Sequence, residues 1–334
     1  MRRLGPSPTS NAEKASGIPP TLHLEIRLAF VLLGATLLTN AAVAQVPALE
    51  RRTFAVSVVD RHGKPIRGLA AGNFRGKFRG RPVTVLSASP DIGPRRIALV
   101  IDISGSMGER RTLRLVWASA ERLISVLGPQ DRVALLTVAD YPVRHTGSLS
   151  DRAQLRQVLS ELQGHRKVGK GRTALLDAIM WAIREFDGPG FADVVYLVSD
   201  AQENASRTDI GTVEAELARS GVRLFLLRLP MVRPGGPEEK AAEGWAQRLL
   251  AASGGLGLEL RPPFGRLEQV YAQLDLFHEH IEHVYRLEAE LGEVVKKPAE
   301  WKLEVVERNG KRLKDVDAAY PELLLPSSGA RPAP

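Results

Sequence analysis

Ile97-Ala98-Leu99-Val100-Ile101-Asp102-Ile103-Ser104-Gly105-Ser106 is the stretch that decides the fold. Five aliphatic residues in a row show no polar alternation, which marks a strand covered on both faces, as in a parallel sheet with helices on either side. The run then gives way to oxygen-bearing side chains. Asp102, Ser104 and Ser106 alternate, so three oxygens converge as the chain leaves the strand, and Gly105 supplies a turn that a side chain would obstruct. Ligands of open parallel sheets bind beyond the carboxyl ends of the strands. Position and residue type therefore point the same way.

Reading outward, the texture repeats. Leu113 to Leu127 has helical spacing and stops at Gly128-Pro129; Val133 to Val138 is a second buried strand. Asp151 to Leu162 reads as a helix capped by Ser150, and Thr173 to Phe186 as another. Val194 to Val198 is a third aliphatic strand, Thr208 to Ser220 a helix ended by Gly221, and Val222 to Leu229 a fourth strand. Pro230 to Pro237 is a loop before closing helices at 238–253 and 266–284. Strand–helix alternation of this kind predicts an α/β fold, a doubly wound, mostly parallel sheet with helices on both faces.

Both flanks read as β. Phe54 to Val59 and Pro82 to Leu86 are short strands separated by the turn Arg61-His62-Gly63-Lys64. Trp301 to Val306 alternates, and Arg308-Asn309-Gly310-Lys311 suggests a hairpin with Leu313 to Ala319 pairing back. The N-terminal piece is too small to stand alone and is expected to pack on the main domain. The expected organisation is a leader at 1–44, an N-terminal β segment at 45–92, an α/β domain at 93–284, a C-terminal β segment at 285–326 and a frayed tail at 327–334.

Two further motifs at that end of the sheet add oxygen donors: Gly171-Arg172-Thr173, which begins the fourth element, and Ser199-Asp200, which ends the Val194–Val198 strand. Asp102, Ser104, Ser106, Thr173 and Asp200 offer two carboxylates and three hydroxyls. Mg²⁺ prefers hard oxygen ligands in near-octahedral geometry and keeps several waters, so the set suits it. Histidine and cysteine are missing from the set, which argues against zinc or copper.

The motif Asp102-x-Ser104-x-Ser106, with Thr173 in Gly-x-Thr-Ala-Leu-x-Asp-Ala and Asp200 after an aliphatic strand, resembles the metal-ion-dependent adhesion site of von Willebrand factor type A domains. The resemblance spans about 95–284. Val58-Val59-Asp60, Gly63-Lys64-Pro65 and Gly68-Leu69 before Phe74 are similar to the lead-in of the exported bacterial members of that family. It implies that Ser104, Ser106 and Thr173 bind one Mg²⁺ or Mn²⁺ directly, and that Asp102 and Asp200 act directly or through water. The cation then keeps an open position for an Asp or Glu carboxylate of a protein partner. Binding, not turnover, is the implied activity, as in a cell-adhesion module. The alternative is a structural or assembly scaffold whose metal site is purely structural or vestigial. The family usually has Gly after the last aspartate, where this chain reads Asp200-Ala201-Gln202-Glu203-Asn204.

Other chemistries lack their parts. His278-Glu279-His280-Ile281-Glu282-His283 does not place two histidines four apart around a Glu, so the metalloprotease pattern fails and a solvated helix face is expected. No Gly-x-Ser-x-Gly elbow and no phosphate-cradling Gly-rich loop occurs. The four tryptophans, Trp117, Trp181, Trp245 and Trp301, read as packing residues. Asp177 reads as a helix residue near the loop. Lys167, Lys170 and Arg172 stand near Thr173 and either steer acidic partners or are solvated.

The 334 residues are 44% hydrophobic and 25% charged, ordinary globular usage, so a disordered chain is excluded. The net charge of +8 is spread among many acids, with only the short run Arg166–Lys170, so no nucleic-acid partner is expected. No cysteine is present, which removes disulfides and thiolate chemistry. Arg2, Arg3, Lys14 and Arg27, then the apolar run Leu28 to Leu38, then Ala42-Val43-Ala44, have the order of a secretory signal peptide cleaved after Ala44. The protein is expected to be exported, periplasmic or secreted. The alternative is an N-terminal membrane anchor, the one circumstance in which a membrane is a partner.

Overall fold

The computed structural model describes residues 50–148, 151–164, 168–188, 190–230, 237–260 and 267–327. The expected leader, the Ser150 cap, Arg166, Lys167, most of the 230–237 loop and the tail beyond Ser327 lie outside the described residues. In chain order the elements are β1 (Glu50–Asp60), β2 (Phe74–Phe78), β3 (Arg81–Asp91), β4 (Arg96–Asp102), α1 (Arg110–Val126), β5 (Arg132–Val138), β6 (Pro142–Arg144), α2 (Arg152–Gln163) and α3 (Leu175–Arg184). They continue with β7 (Val194–Ser199), α4 (Ile210–Ser220), β8 (Arg223–Arg228), α5 (Pro237–Ser253), β9 (Leu256–Glu259), α6 (Leu267–Glu282), β10 (Val284–Leu291), β11 (Ala299–Val305), β12 (Val316–Ala319) and β13 (Leu323–Leu324).

One sheet has the order β6-β5-β4-β7-β8-β9. It is parallel except for the short edge strand β6, which runs antiparallel to β5. The uninterrupted aliphatic strands follow from this, because both faces are covered. Ile97, Leu99 and Ile101 of β4 pack under α1, α2 and α6. Ala98 and Val100 pack on the other face, against α3, α4 and α5. This is the doubly wound α/β architecture. Local chemistry sets the helix ends. Asp151 caps α2 by accepting from the Ala153 and Gln154 N–H groups at 2.8 and 3.1 Å, so the capping residue is Asp151. Gly221 closes α4 in the left-handed region at φ +68°, with its N–H on Leu217 O.

The flanking segments form a second sheet together. Its order is β12-β1-β10-β3-β2-β11-β13, antiparallel throughout. β1 and β11 are separated by three strands, yet Phe54 stacks on Trp301 with ring centroids 4.5 Å apart. The sheet therefore curls until its inner face closes on itself around Phe54, Trp301, Tyr320 and Leu287. The expected C-terminal hairpin forms its turn, with the Glu307 N–H on Lys311 O and a bridge between Val306 and Arg312. Its second strand does not pair back, however: β12 crosses to β1. The returning chain makes only the Val306–Arg312 bridge and the Leu313 N–H bond to Val305 O, and β13 takes Ala299 and Glu300 on that edge of β11.

The expectation of a solvated histidine face on α6 is corrected. His278 and His280 are buried, and the His278 Nε2 lies 2.9 Å from the Tyr196 hydroxyl of β7. The helix carries its histidines inward because Phe277 and Ile281 on the same side fill the core. Burial pushes both imidazoles down to about 4.

The C-terminus of α6 is held by two arginines. Arg223, with no exposed surface, donates to His280 O at 3.2 Å, Ile281 O at 3.0 Å and the Ser57 hydroxyl of β1 at 3.2 Å. Arg95 donates to Glu282 O at 3.0 Å. These guanidiniums satisfy three carbonyls that a helix end leaves open, and their charge complements the negative end of the helix dipole. Among the described residues no helix is long and apolar enough to cross a membrane.

Arg223→Met leaves those acceptors unpaired and should lower stability by about 2–4 kcal/mol, read as a lower urea midpoint at unchanged slope. A depressed histidine pKa means that the unfolded chain takes protons the folded chain refuses. The contribution of His278 and His280 is present above about pH 6.5 and is lost as pH falls toward about 4. Urea titrations at pH 7.5, 6 and 4.5 should show a shallower acid slope in His278→Phe than in the parent chain.

Candidate metal centre

Asp102 ends β4, and Asp200 directly follows the adjacent parallel strand β7, whose Val198 pairs with Ile101. The two carboxylates therefore leave the sheet side by side. This is also where the strand order turns, with β5 on one side of β4 and β7, β8 and β9 on the other. Both aspartates are fully buried.

The loop after β4 is shaped by Asp102 itself, whose Oδ1 accepts the Ser104 N–H at 2.9 Å. Ser104 Oγ then lies 3.3 Å from Ser106 Oγ, and a single 3₁₀ turn from Gly105 to Met107 leads toward α1. The Ser106 hydroxyl also reaches the Asp200 carboxylate. Thr173 is carried by a loop locked on both sides. Gly171 O accepts the Gly105 N–H at 3.0 Å, and Thr173 O accepts from Asn204 and Ala205, both at 3.0 Å. The Thr173 N–H returns to Asn204 Oδ1 at 2.9 Å. Gly171 adopts φ +89°, where any side chain is strained, and a Cβ there would stand 2.6 Å from Asp140 Oδ2, so that carboxylate would have to move. The structure thus brings Asp102, Ser104, Ser106 and Asp200 together through side chains. It holds Thr173 beside them through backbone bonds to both neighbouring loops.

Electrostatics at this point are costly. Burial, and then the neighbouring Asp200 carboxylate, push Asp102 up to about 7. Burial also raises Asp200, opposed by hydrogen bonds from Gln202 and Ser106. Among the described residues no Lys or Arg neutralises either group. No three His, Cys, Asp or Glu side chains gather there as a metal cluster; the donors are two acids supplemented by hydroxyls. Two buried acids with hydroxyls around them are a donor set of the kind a hard divalent cation takes.

Several functional neighbours escaped the sequence reading. Ser199 donates to Asp102 Oδ2 at 2.5 Å and accepts the Ala201 N–H at 2.9 Å, bridging the two aspartate loops. Its position next to Asp200 was the only sequence signal. Glu203 accepts the Leu176 N–H at 3.0 Å at the start of α3; Asp177, read from the sequence as a helix residue near the loop, lies in the first turn of α3 and accepts from the Arg207 and Thr208 N–H groups. Both acids brace loops. Ala201, where the family usually has Gly, sits in the left-handed region at φ +64° with its methyl fully buried. A non-glycine residue costs about 1–2 kcal/mol there, partly offset by burial of the methyl and by the Trp245 Nε1–H on Ala201 O at 3.1 Å.

Residues 97–242 match the family model described as the von Willebrand factor type A domain. No curated protein matches the chain. Among solved structures, BatB from Bacteroides thetaiotaomicron is 16% identical, with 56% of this chain and 100% of that one covered at a TM-score of 0.42. A von Willebrand factor type A protein from Catenulispora acidiphila is 15% identical, covering 81% and 72%, at 0.45. Proximal thread matrix protein 1 from mussel byssus, with a zinc-occupied MIDAS motif, is 17% identical, covering 60% of this chain and 49% of that one, at 0.46. Likeness at this level carries no functional information of its own.

Ser199→Ala strands both Asp102 Oδ2 and the Ala201 N–H in the interior. It should cost about 1–3 kcal/mol of stability, measured by urea unfolding in chelator. The raised Asp102 pKa makes a second expectation. Its stabilising proton is fully effective below about 3.8 and is lost as pH rises through about 7. Protons and Mg²⁺ should therefore compete, with Mg²⁺ affinity weakening as pH falls from 8 to 6; a pH-independent affinity by calorimetry contradicts the expectation.

Proposed function

We propose that the von Willebrand factor type A domain of this chain holds one Mg²⁺ or Mn²⁺ and uses it to capture an Asp or Glu carboxylate of a protein partner. Domains of this family are in general protein-interaction modules, not enzymes. The observation that carries the reading is the pair of buried carboxylates, Asp102 and Asp200, at adjacent strand ends with hydroxyl donors on them and, among the described residues, no basic side chain acting on either. In it, Ser104, Ser106 and Thr173 bind the cation directly, and Asp102 and Asp200 act directly or through water. When bound, the cation supplies positive charge at the crevice mouth. The protein side supplies the burial, which keeps that charge unscreened, and loops tied to one another by backbone hydrogen bonds. The order of charged, apolar and small residues across 2–44 supports an exported protein, periplasmic or secreted.

One observation favours a second reading. The Gln202 N–H and side-chain amide donate to the two oxygens of Asp200, each at 3.1 Å. A site in which hydrogen bonds already satisfy Asp200 suits a scaffold whose loops are braced without a bound cation.

Calorimetric titration of Mg²⁺ and Mn²⁺ into the full chain separates the two. Saturable one-site binding that disappears in Asp102→Ala and in Ser104→Ala is the expected result. A folded parent chain that takes up neither ion leaves the metal-free scaffold.

A further inference from the structure

Beside the metal centre, the edge of the parallel sheet is unusually apolar for a solvent-facing surface. Of the six large hydrophobic side chains exposed among the described residues, three lie here: Tyr141 at 60%, Trp181 at 45% and Val143 at 38%. Trp181 is also the exception among the tryptophans, since Trp245 and Trp301 are buried and Trp117 packs against the core. Two cavities flank strand β6 and share Asp140 and Tyr141 as a common wall. One, about 440 Å³, runs past Val143 to Ile103, Lys170 and Gly171, the residues that shape the metal loops. The other, about 500 Å³, runs across Trp181 to Arg184 and Arg207. Clustered Tyr, Trp and Arg is the composition of contact surfaces, whereas scattered exposed apolar residues are ordinary.

The charges around these cavities are unequal. Arg172 is paired with Asp140 at 3.6 Å. Asp177 is engaged by the backbone N–H groups of Arg207 and Thr208. Among the described residues, the exposed side chains of Lys170, Arg184 and Arg207 form no ion pair, although the Asp177 carboxylate attracts Arg207, so around the aromatic centre the cations Lys170, Arg172, Arg184 and Arg207 outnumber the lining acids Asp140 and Asp177.

We propose that this face is a docking surface for an acidic, aromatic-bearing segment of a partner protein, with the partner's apolar side chain in a cavity beside Tyr141 and its acids on Lys170, Arg184 and Arg207. The proposal rests on the metal-centre reading only for the place of the carboxylate nearest Asp102 and Ser104. A second copy of this chain is a poor occupant, because a net charge of +8 on each copy opposes association across a face that is itself positive. The apolar walls supply affinity, and the free cations supply orientation and selectivity.

The test is panning of a random dodecapeptide library on the immobilised full chain in Mg²⁺, followed by titration of the synthetic consensus peptide. The expected motif pairs Phe, Tyr, Trp or Leu with Asp or Glu. Affinity of the consensus peptide should drop about tenfold or more in Trp181→Ala and in Arg207→Ala. Both positions are exposed, so neither change should disturb folding. Mg²⁺ affinity, measured on the same variants, should not change. Peptides without an aromatic or aliphatic anchor, affinities within twofold of the parent chain in Trp181→Ala, or self-association through this face in sedimentation each overturn the proposal. If Mg²⁺ binds and the peptides ignore Trp181, the docking surface fails and the metal centre stands. If peptides need Trp181 and Arg207 but Mg²⁺ does not bind, the metal centre fails and the surface stands.

Discussion

Two carboxylates brought side by side in the interior repel each other, and the chain spends much of its local structure holding Asp102 and Asp200 in that position. Parallel pairing of β4 with β7 fixes their separation. The Ser199 hydroxyl and the Ser104 N–H then occupy the two oxygens of Asp102. The surrounding loops are tied to one another by backbone bonds through Gly171, Thr173 and Asn204, so the carboxylates cannot relax apart without breaking several hydrogen bonds. The cost of the two buried acids is met in folding, and Asp102 relieves part of the repulsion by holding its proton up to about 7.

The same logic of buried charge acts at the opposite end of the domain with reversed sign. Arg223 lies in the interior with no carboxylate in contact, and burial brings its pKa down to about 9, still charged at neutral pH. It is sustained by the carbonyls at the end of α6 and by Ser57. Because α6 runs into β10 through His283 alone, this clamp joins the parallel sheet to the curled antiparallel sheet. The α/β domain is thus inserted between two halves of a β structure, entering after β3 and leaving before β10.

Between these ends, the sheet edge at β6 is neither core nor ordinary surface. Tyr141, just before the three-residue β6, and Val143 within it give the two-aspartate site an apolar shoulder, and the outward face of α3 adds Trp181. Positive charge sits on both sides of it. Its adjacency to the crevice makes one continuous surface from two features of different chemistry.

The aliphatic strands, the strand–helix order and the oxygen donors at two strand ends and before one helix were legible in the residues alone, because each depends on local periodicity or on spacing within a few positions. So were the doubly wound fold and the five candidate ligands gathered at its switch point, since the carboxyl ends of adjacent parallel strands must converge. What the tertiary structure alone decided is long-range. β1 finds β10 more than two hundred residues away, and β12 crosses to β1 instead of closing a hairpin, because ladder positions are taken or left by strands distant in sequence. Ser199 becomes a bridge only when β7 lies against β4. His278 and His280, polar in any sequence pattern, are buried because the face of α6 that meets the sheet is chosen by Phe277 and Ile281. Periodicity identifies an element; which groups it desolvates, and which charges it leaves facing each other, is settled only by the packing of one element on another.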